Sequence, residues 1–242
     1  MNQQLLEQLA PTGVLRVGVN MANFLLVTGE SDNGDPEGVS PGIAKAMADT
    51  LGIAVSYVPF VGPGEVADAA ADDVWDIGNI AAEPERAKTI TFSSAYCEIQ
   101  ATYLLPPESL FNSVQEVDSA DCRIAVKDRA AYDLYLTENL RNATLVRTPS
   151  IDDSFDVFVE RSLEALAGLR PKLLEQQKLL PGSKILEESF TSVQQSIGCR
   201  PGRALAAEFI QSFVKESIDN GLVASLIDKH GVTGRLTVAP AV

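Results

Sequence analysis

The chain has 242 residues, 45% of them hydrophobic, and a formal net charge of −14. That apolar content supplies a core for two modest lobes or one large α/β domain, while the acidic balance excludes nucleic acid, whose phosphates need a basic face, and anionic membrane surfaces as partners. No run of about 18 apolar residues offers a membrane span. The first ten residues, MNQQLLEQLA, lack the basic start and apolar stretch of a secretory signal, which leaves either the mature form of an exported protein or a cytoplasmic one.

In chain order, Val14 to Val19 reads as an apolar strand, and Met21 to Leu26 leads into GESDNGDPEG, a turn-rich acidic loop. Ile43, Met47 and Leu51 lie four apart and mark one face of a helix. Val55 to Phe60 alternates as a strand, then Gly62, Pro63 and Gly64 break it before an Ala-rich helix from Val66 to Ala71. Ile77 to Ala82 carries no charge and reads as a buried strand, Pro84 opens a short helical turn, and Thr89 to Phe92 resumes strand-forming residues. The paired prolines of ATYLLPPE end another strand near Pro107 and mark a domain boundary. Beyond it, Arg123 to Val126 and Thr144 to Arg147 read as strands around a helix from Ala130 to Leu140. Ser150 with Asp153 reads as a capped helix start ahead of Phe155, Phe158 and Val159. Residues 163–170, LEALAGLR, have helical propensity, and Arg203 to His230 reads as two amphipathic helices. Alternating strands and helices imply parallel α/β layers.

The stretch Trp75 to Tyr96, WDIGNIAAEPERAKTITFSSAY, sets Arg86 between two apolar strands. Its planar five-donor fork suits a carboxylate supplied from elsewhere; the alternative is a surface arginine paired with Glu83 or Glu85. Cys97, Cys122 and Cys199 are odd in number and widely spaced without Cys-x-x-Cys, so they read as free, partly buried thiols rather than metal ligands or nucleophiles. The sole histidine, His230, precedes Gly231 and suits a helix end. These residues provide neither a serine–histidine–aspartate arrangement nor a histidine-rich metal site, and no cofactor is expected.

Asp76, Glu85, Arg86, Phe92, Ser93 and Tyr96 together resemble the most recognisable segment of the bacterial extracellular solute-binding proteins of family 3, the polar amino-acid-binding type. GVLRVGV at Gly13 to Val19, GVSPGIAKAMADTLGI at Gly38 to Ile53 and CRIAVKDRAAYDLYL at Cys122 to Leu136 resemble other parts of that family in the same order. The resemblance implies a two-lobe α/β fold of the periplasmic-binding-protein type 2 class. Lobe 1 would be residues 1–100 plus 195–242 and lobe 2 residues 101–194, with two crossing strands hinged near 97–103 and 190–196. It makes residues 163–170 a central strand ending in a turn at Gly168, with Pro171 opening the next helix, and SFTSVQQSIG the strand crossing back. It also implies a monomeric, periplasmic, non-enzymatic component of an ABC-type importer, closing on a small solute and recognised by a membrane permease. A dehydratase resembling cyclohexadienyl dehydratase and a cytoplasmic sensor are the alternatives; the dehydratase's catalytic acid would fall at Lys172.

By the same resemblance Arg86 holds a ligand carboxylate. Ala81 stands where the family has a Thr, which leaves only a backbone donor there. Leu169 stands where an Asp meets the α-ammonium, and leucine cannot neutralise that charge. Asp128, Arg129, Ala130 and Ala131 replace a Ser-Gly-Thr-Gly turn, so Arg129 or Arg170 could add a second cation and favour an anionic solute. Glu83 or Glu98 could instead receive an ammonium and restore a zwitterionic one, or lie at the surface. Asn20 and Asn23 are either cleft amides or turn formers, and Tyr132 either touches ligand or packs. One of Gln194 and Gln195 faces the cleft, since strand neighbours point to opposite sides.

Overall fold

The structure is a computed structural model and describes residues 3–240. It forms two compact units, Met1–Glu98 with Gln194–Val242 and Ile99–Val193. In chain order the first contains α1 (Gln3–Leu9), β1 (Val14–Asn20), the hairpin β2 (Gly29–Glu30) and β3 (Pro36–Glu37), α2 (Val39–Thr50), β4 (Ala54–Phe60), α3 (Pro63–Asp68), β5 (Ile77–Ala81) and β6 (Thr91–Phe92). Strand β7 (Cys97–Leu105) carries the chain into the second unit. There follow α4 (Val114–Val117), β8 (Arg123–Lys127), α5 (Ala131–Asn139), β9 (Thr144–Thr148), α6 (Ile151–Glu160), β10 (Ala165–Leu169), α7 (Arg170–Gln177) and β11 (Lys184–Ile185). Strand β12 (Thr191–Cys199) returns to the first unit, which ends with α8 (Ala204–Asp219), α9 (Leu222–Lys229) and β13 (Thr237–Val238).

In the first unit β4, β1 and β5 run parallel, and β12 joins β5 antiparallel with Gln195 opposite Ala81. Leu15, Val17 and Val19 of β1 are fully buried, and α2 covers the sheet with Val39, Ile43 and Met47. A second cluster gathers Val66, Trp75, Ile80 and Ile90, with the Trp75 indole N–H donating to the Val66 carbonyl (3.0 Å). Gly18 permits this close approach, since a Cβ there would stand 3.0 Å from Trp75 Cδ1. The two C-terminal helices pack on this unit as expected, α8 against α1 and α9 against α2.

In the second unit β9, β8 and β10 run parallel and β10 pairs antiparallel with β7. Leu104, Ala125, Phe158, Leu163, Leu166 and Leu173 form its core. Ser150 caps α6 by accepting from the Asp153 N–H (3.0 Å). In each unit, the central strand (β1 or β8) lies between the next strand of its own sheet in chain order (β4 or β9) and the one after that (β5 or β10). Chain connections therefore diverge at the carboxyl ends of β1 and β5, and of β8 and β10, where open α/β sheets receive ligands.

Two local expectations need correction. The strand expected over Thr89 to Phe92 shortens to Thr91–Phe92, because the 3₁₀ turn Arg86–Lys88 captures the preceding amides: Thr89 N and Ile90 N both donate to the Arg86 carbonyl. Gly168 is not a turn. It pairs with Thr102 inside β10 beneath Leu173, and the strand runs on to Leu169 before Pro171 sets the first turn of α7.

Candidate functional site

Strands β1 and β5 run side by side and parallel, Val19 opposite Asn79, and end on Asn20 and Ala81. The Asn20 side-chain oxygen accepts from Ala22 N (3.1 Å), and that of buried Asn23 accepts from Leu25 N (3.2 Å). Both amides thus shape the turn leaving β1. After β5 the chain turns back so that Arg86, only 4% exposed, donates from Nη1 to the Ala81 carbonyl at 2.9 Å. Arg86 is therefore not the solvated surface arginine that local composition allows, and Glu85 pairs with Lys88. Glu83 lies within this turn, its carbonyl accepting from Ala87 N.

Gln194 closes the same edge. Its carbonyl accepts from Ala82 N (3.0 Å), and its side-chain amide donates to Glu98 Oε2 (2.5 Å). Gln195, its neighbour, is buried opposite Ala81. The fold therefore brings Asn20, Ala81, Arg86 and Gln194 to one end of one sheet.

Arg129, Tyr132 and Arg170 occupy the corresponding strand ends of the second unit. Arg129 adopts φ 59° between β8 and α5, and its N–H donates to Asp133 Oδ2 (2.8 Å). Arg147 Nε meets the other Asp133 oxygen at 3.0 Å. Burial pushes the Asp133 carboxyl above its ordinary range, against the Arg129 amide and Arg147. Tyr132, in the first turn of α5, is 4% exposed, and burial likewise pushes its hydroxyl up. Leu169 ends β10 opposite Ala101.

The expectation of Arg170 as a ligand cation fits its surroundings poorly. Its Nε donates to Gln100 Oε1 (2.8 Å), Nη1 to the Leu186 carbonyl (3.1 Å), and Nη2 to the Glu187 carbonyl (2.6 Å) and Ser189 Oγ (3.3 Å). A guanidinium so engaged ties the chain between β11 and β12 to β7. Asp133 was the residue missed in sequence; its signal was an acid three positions after the helix-capping Ala130, where it can reach back to the preceding amide.

Cys97, Cys122 and Cys199 are free and buried, and burial pushes each thiol up, Cys122 to about 12, which removes them as thiolate nucleophiles. His230 ends α9, with Nδ1 3.3 Å from Thr28 Oγ1. Among the described residues no group of three or more His, Cys, Asp or Glu side chains is arranged to hold a metal ion, and no helix is long and apolar enough to cross a membrane.

Two α/β units of matching strand order, linked by strands that carry the chain out and back, define the two-lobe periplasmic-binding-protein type 2 fold. The same fold is seen in an ancestral amino-acid-binding protein described as a precursor of cyclohexadienyl dehydratase (TM-score 0.74, 21% identity, 93% of this chain and 97% of that one). It is also seen in a cysteine-binding protein from Campylobacter jejuni (0.74, 20%, 95% and 93%) and in a putative ABC-transporter binding component from Wolinella succinogenes complexed with lysine (0.74, 16%, 90% and 95%). The model of the bacterial extracellular solute-binding proteins, family 3, matches residues 15–233, and the chain belongs to that family. No curated protein matches it.

Proposed function

We propose that this protein is the solute-binding component of an ABC-type importer, working in the periplasm with a membrane permease and binding a small carboxylate-bearing solute on Arg86. The observation that carries this reading is the burial of Arg86 at the carboxyl end of β5, with one arm of its fork fixed by Ala81. A charged group held this way is preorganised for a bidentate carboxylate. Asn20, Asn23, the Ala81 backbone, Glu83 and Gln194 would line the site in the first unit, and Arg129 and Tyr132 stand at the corresponding strand ends of the second.

Leu169 supports an anionic solute class. An apolar, 8% exposed residue at the end of β10 offers no counter-charge to an α-ammonium, which favours a dicarboxylate or other anion over a standard amino acid. Binding rather than dehydration is supported by Lys172, a cationic side chain without a carboxyl, already paired with Asp152 at 3.0 Å where the dehydratase comparison needs a catalytic acid.

Calorimetry against a panel of mono- and dicarboxylates and amino acids tests the reading. A carboxylate should bind with sub-millimolar affinity and Arg86→Ala should abolish binding; no ligand in the panel, or unchanged binding by the variant, overturns it. Turnover of prephenate or arogenate would replace it with an enzymatic role.

A further inference from the structure

Inside the first unit, away from solvent, Ser40 Oγ, Asn79 Oδ1 and Tyr96 Oη are among the side-chain polar atoms that no described residue satisfies. Their residues are 2%, 1% and 0% exposed, so bulk water does not satisfy them either. Ser40 adjoins each of the other two. Asn79 Nδ2 donates to the Ser40 carbonyl at 2.9 Å. Burial pushes the Tyr96 hydroxyl well above its ordinary range, and nearby Ser40 draws it part of the way back, although the two hydroxyls lack the geometry of a direct hydrogen bond.

Leaving one buried polar atom unpaired costs as much as a lost hydrogen bond, and three such atoms gathered around Ser40 call for a shared partner. We propose that Ser40, Asn79 and Tyr96 form a binding site for a single internal water molecule. The hydrogen-bond count closes. Water donates to Asn79 Oδ1, accepts from the Tyr96 hydroxyl, and either donates to or accepts from Ser40, whose hydroxyl turns to suit. Three partners is the usual number for a buried water. A metal ion suits the trio poorly, because it contributes no carboxylate and two of its three oxygens carry hydrogens.

The site joins three elements that the fold must hold in register: the first turn of α2 through Ser40, β5 through Asn79, and the residue that enters β7 through Tyr96. Asn79 lies two residues before Ala81 and so on the same face of β5. The water would thus brace the strand end that presents the Ala81 carbonyl to Arg86, whatever solute the protein takes.

A crystal structure of the unaltered protein, at a resolution that shows ordered solvent, is the primary test. An electron-density peak within about 2.7–3.2 Å of all three oxygens is expected; the three side chains bonded directly to one another, with no peak, would overturn the proposal. Oxygen-17 magnetic relaxation dispersion in solution gives a second reading. The count of long-lived internal waters should fall by one in Asn79→Leu, whose side chain fills the space, and an unchanged count in a folded variant would refute the site.

Discussion

Arg86 reaches back five residues to donate to the carbonyl of Ala81, so the residue proposed to hold the solute also closes the turn that follows β5. Removing the guanidinium leaves that carbonyl buried without its donor. Arg86→Ala is therefore expected to lose stability by about 2 kcal/mol as well as binding. Arg86→Lys keeps the charge but not the fork, and should recover part of the stability while binding a carboxylate far more weakly. Urea denaturation and calorimetry on the same two proteins separate these effects.

Arg16 and Asp76 make an asymmetric pair. Asp76 is fully buried and receives Arg16 Nε (3.0 Å), Nη2 (2.8 Å) and backbone N (3.0 Å), whereas Arg16 is 22% exposed and also reaches Asp73. Deleting Arg16 strands a buried carboxylate whose next cation, Arg203, stands 3.7 Å away. Deleting Asp76 leaves an arginine that still has Asp73 and solvent. Arg16→Ala should accordingly cost about 3 kcal/mol, more than Asp76→Ala, as read from denaturant midpoints at constant m-value.

Much of the fold was legible because apolar runs and breakers coincide with element ends. The Val14 strand, the helix through Ile43 and Met47, and the Ser150 cap all follow from residue type alone. Residues 163–170 did not read so simply: Leu and Ala favour helix, yet Ala165–Leu169 is wholly buried between β8 and β7, and tertiary pairing overrides propensity. The environment of Arg170 was equally hidden, since its acceptors at Gln100, Leu186, Glu187 and Ser189 lie 70 residues before it and 16, 17 and 19 after it. Asn79 offered a local signal, a polar side chain in an otherwise apolar strand, but its neighbours Ser40 and Tyr96 are brought to it only by folding.

Acid should weaken the second unit. Burial would raise the Asp118 carboxyl, but the amides of Ala143, Asn142 and Arg141 more than offset it and hold it below its ordinary range. Glu164 is likewise held low, chiefly by its hydrogen bond with Arg123. Groups with depressed folded pKa values contribute stability that is fully present above the unfolded values, about 3.9 for Asp and 4.3 for Glu, and lost as pH falls through the folded ones. Asp133, raised by burial, has the opposite slope: its contribution is present below its unfolded value and lost as pH rises. Urea midpoints should therefore drop below about pH 4, less steeply in Asp118→Asn than in the unaltered protein. Equal slopes for the two would remove Asp118 from the account.

Gly198 sets the limit on how closely β12 lies to the first unit's core. It pairs with Gly78 on one side and Phe92 on the other, and a Cβ there would overlap Ile90 Cγ2 and stand 2.9 Å from Phe92 Cε1. Ile90 is 1% exposed within the Trp75 cluster, so it has no solvent to retreat into. Gly198→Ala is expected to cost about 1–3 kcal/mol by overpacking, while Gly29→Ala, at a position with nothing within 4 Å, should change stability by less than about 0.5 kcal/mol. Combining Gly198→Ala with Ile90→Ala distinguishes steric overlap from backbone strain. The added methyl would then enter space vacated by Ile90, and the double variant should be more stable than the sum of the two losses allows. Strict additivity in thermal unfolding would show that the cost of Gly198→Ala arises in the strand itself and not at Ile90.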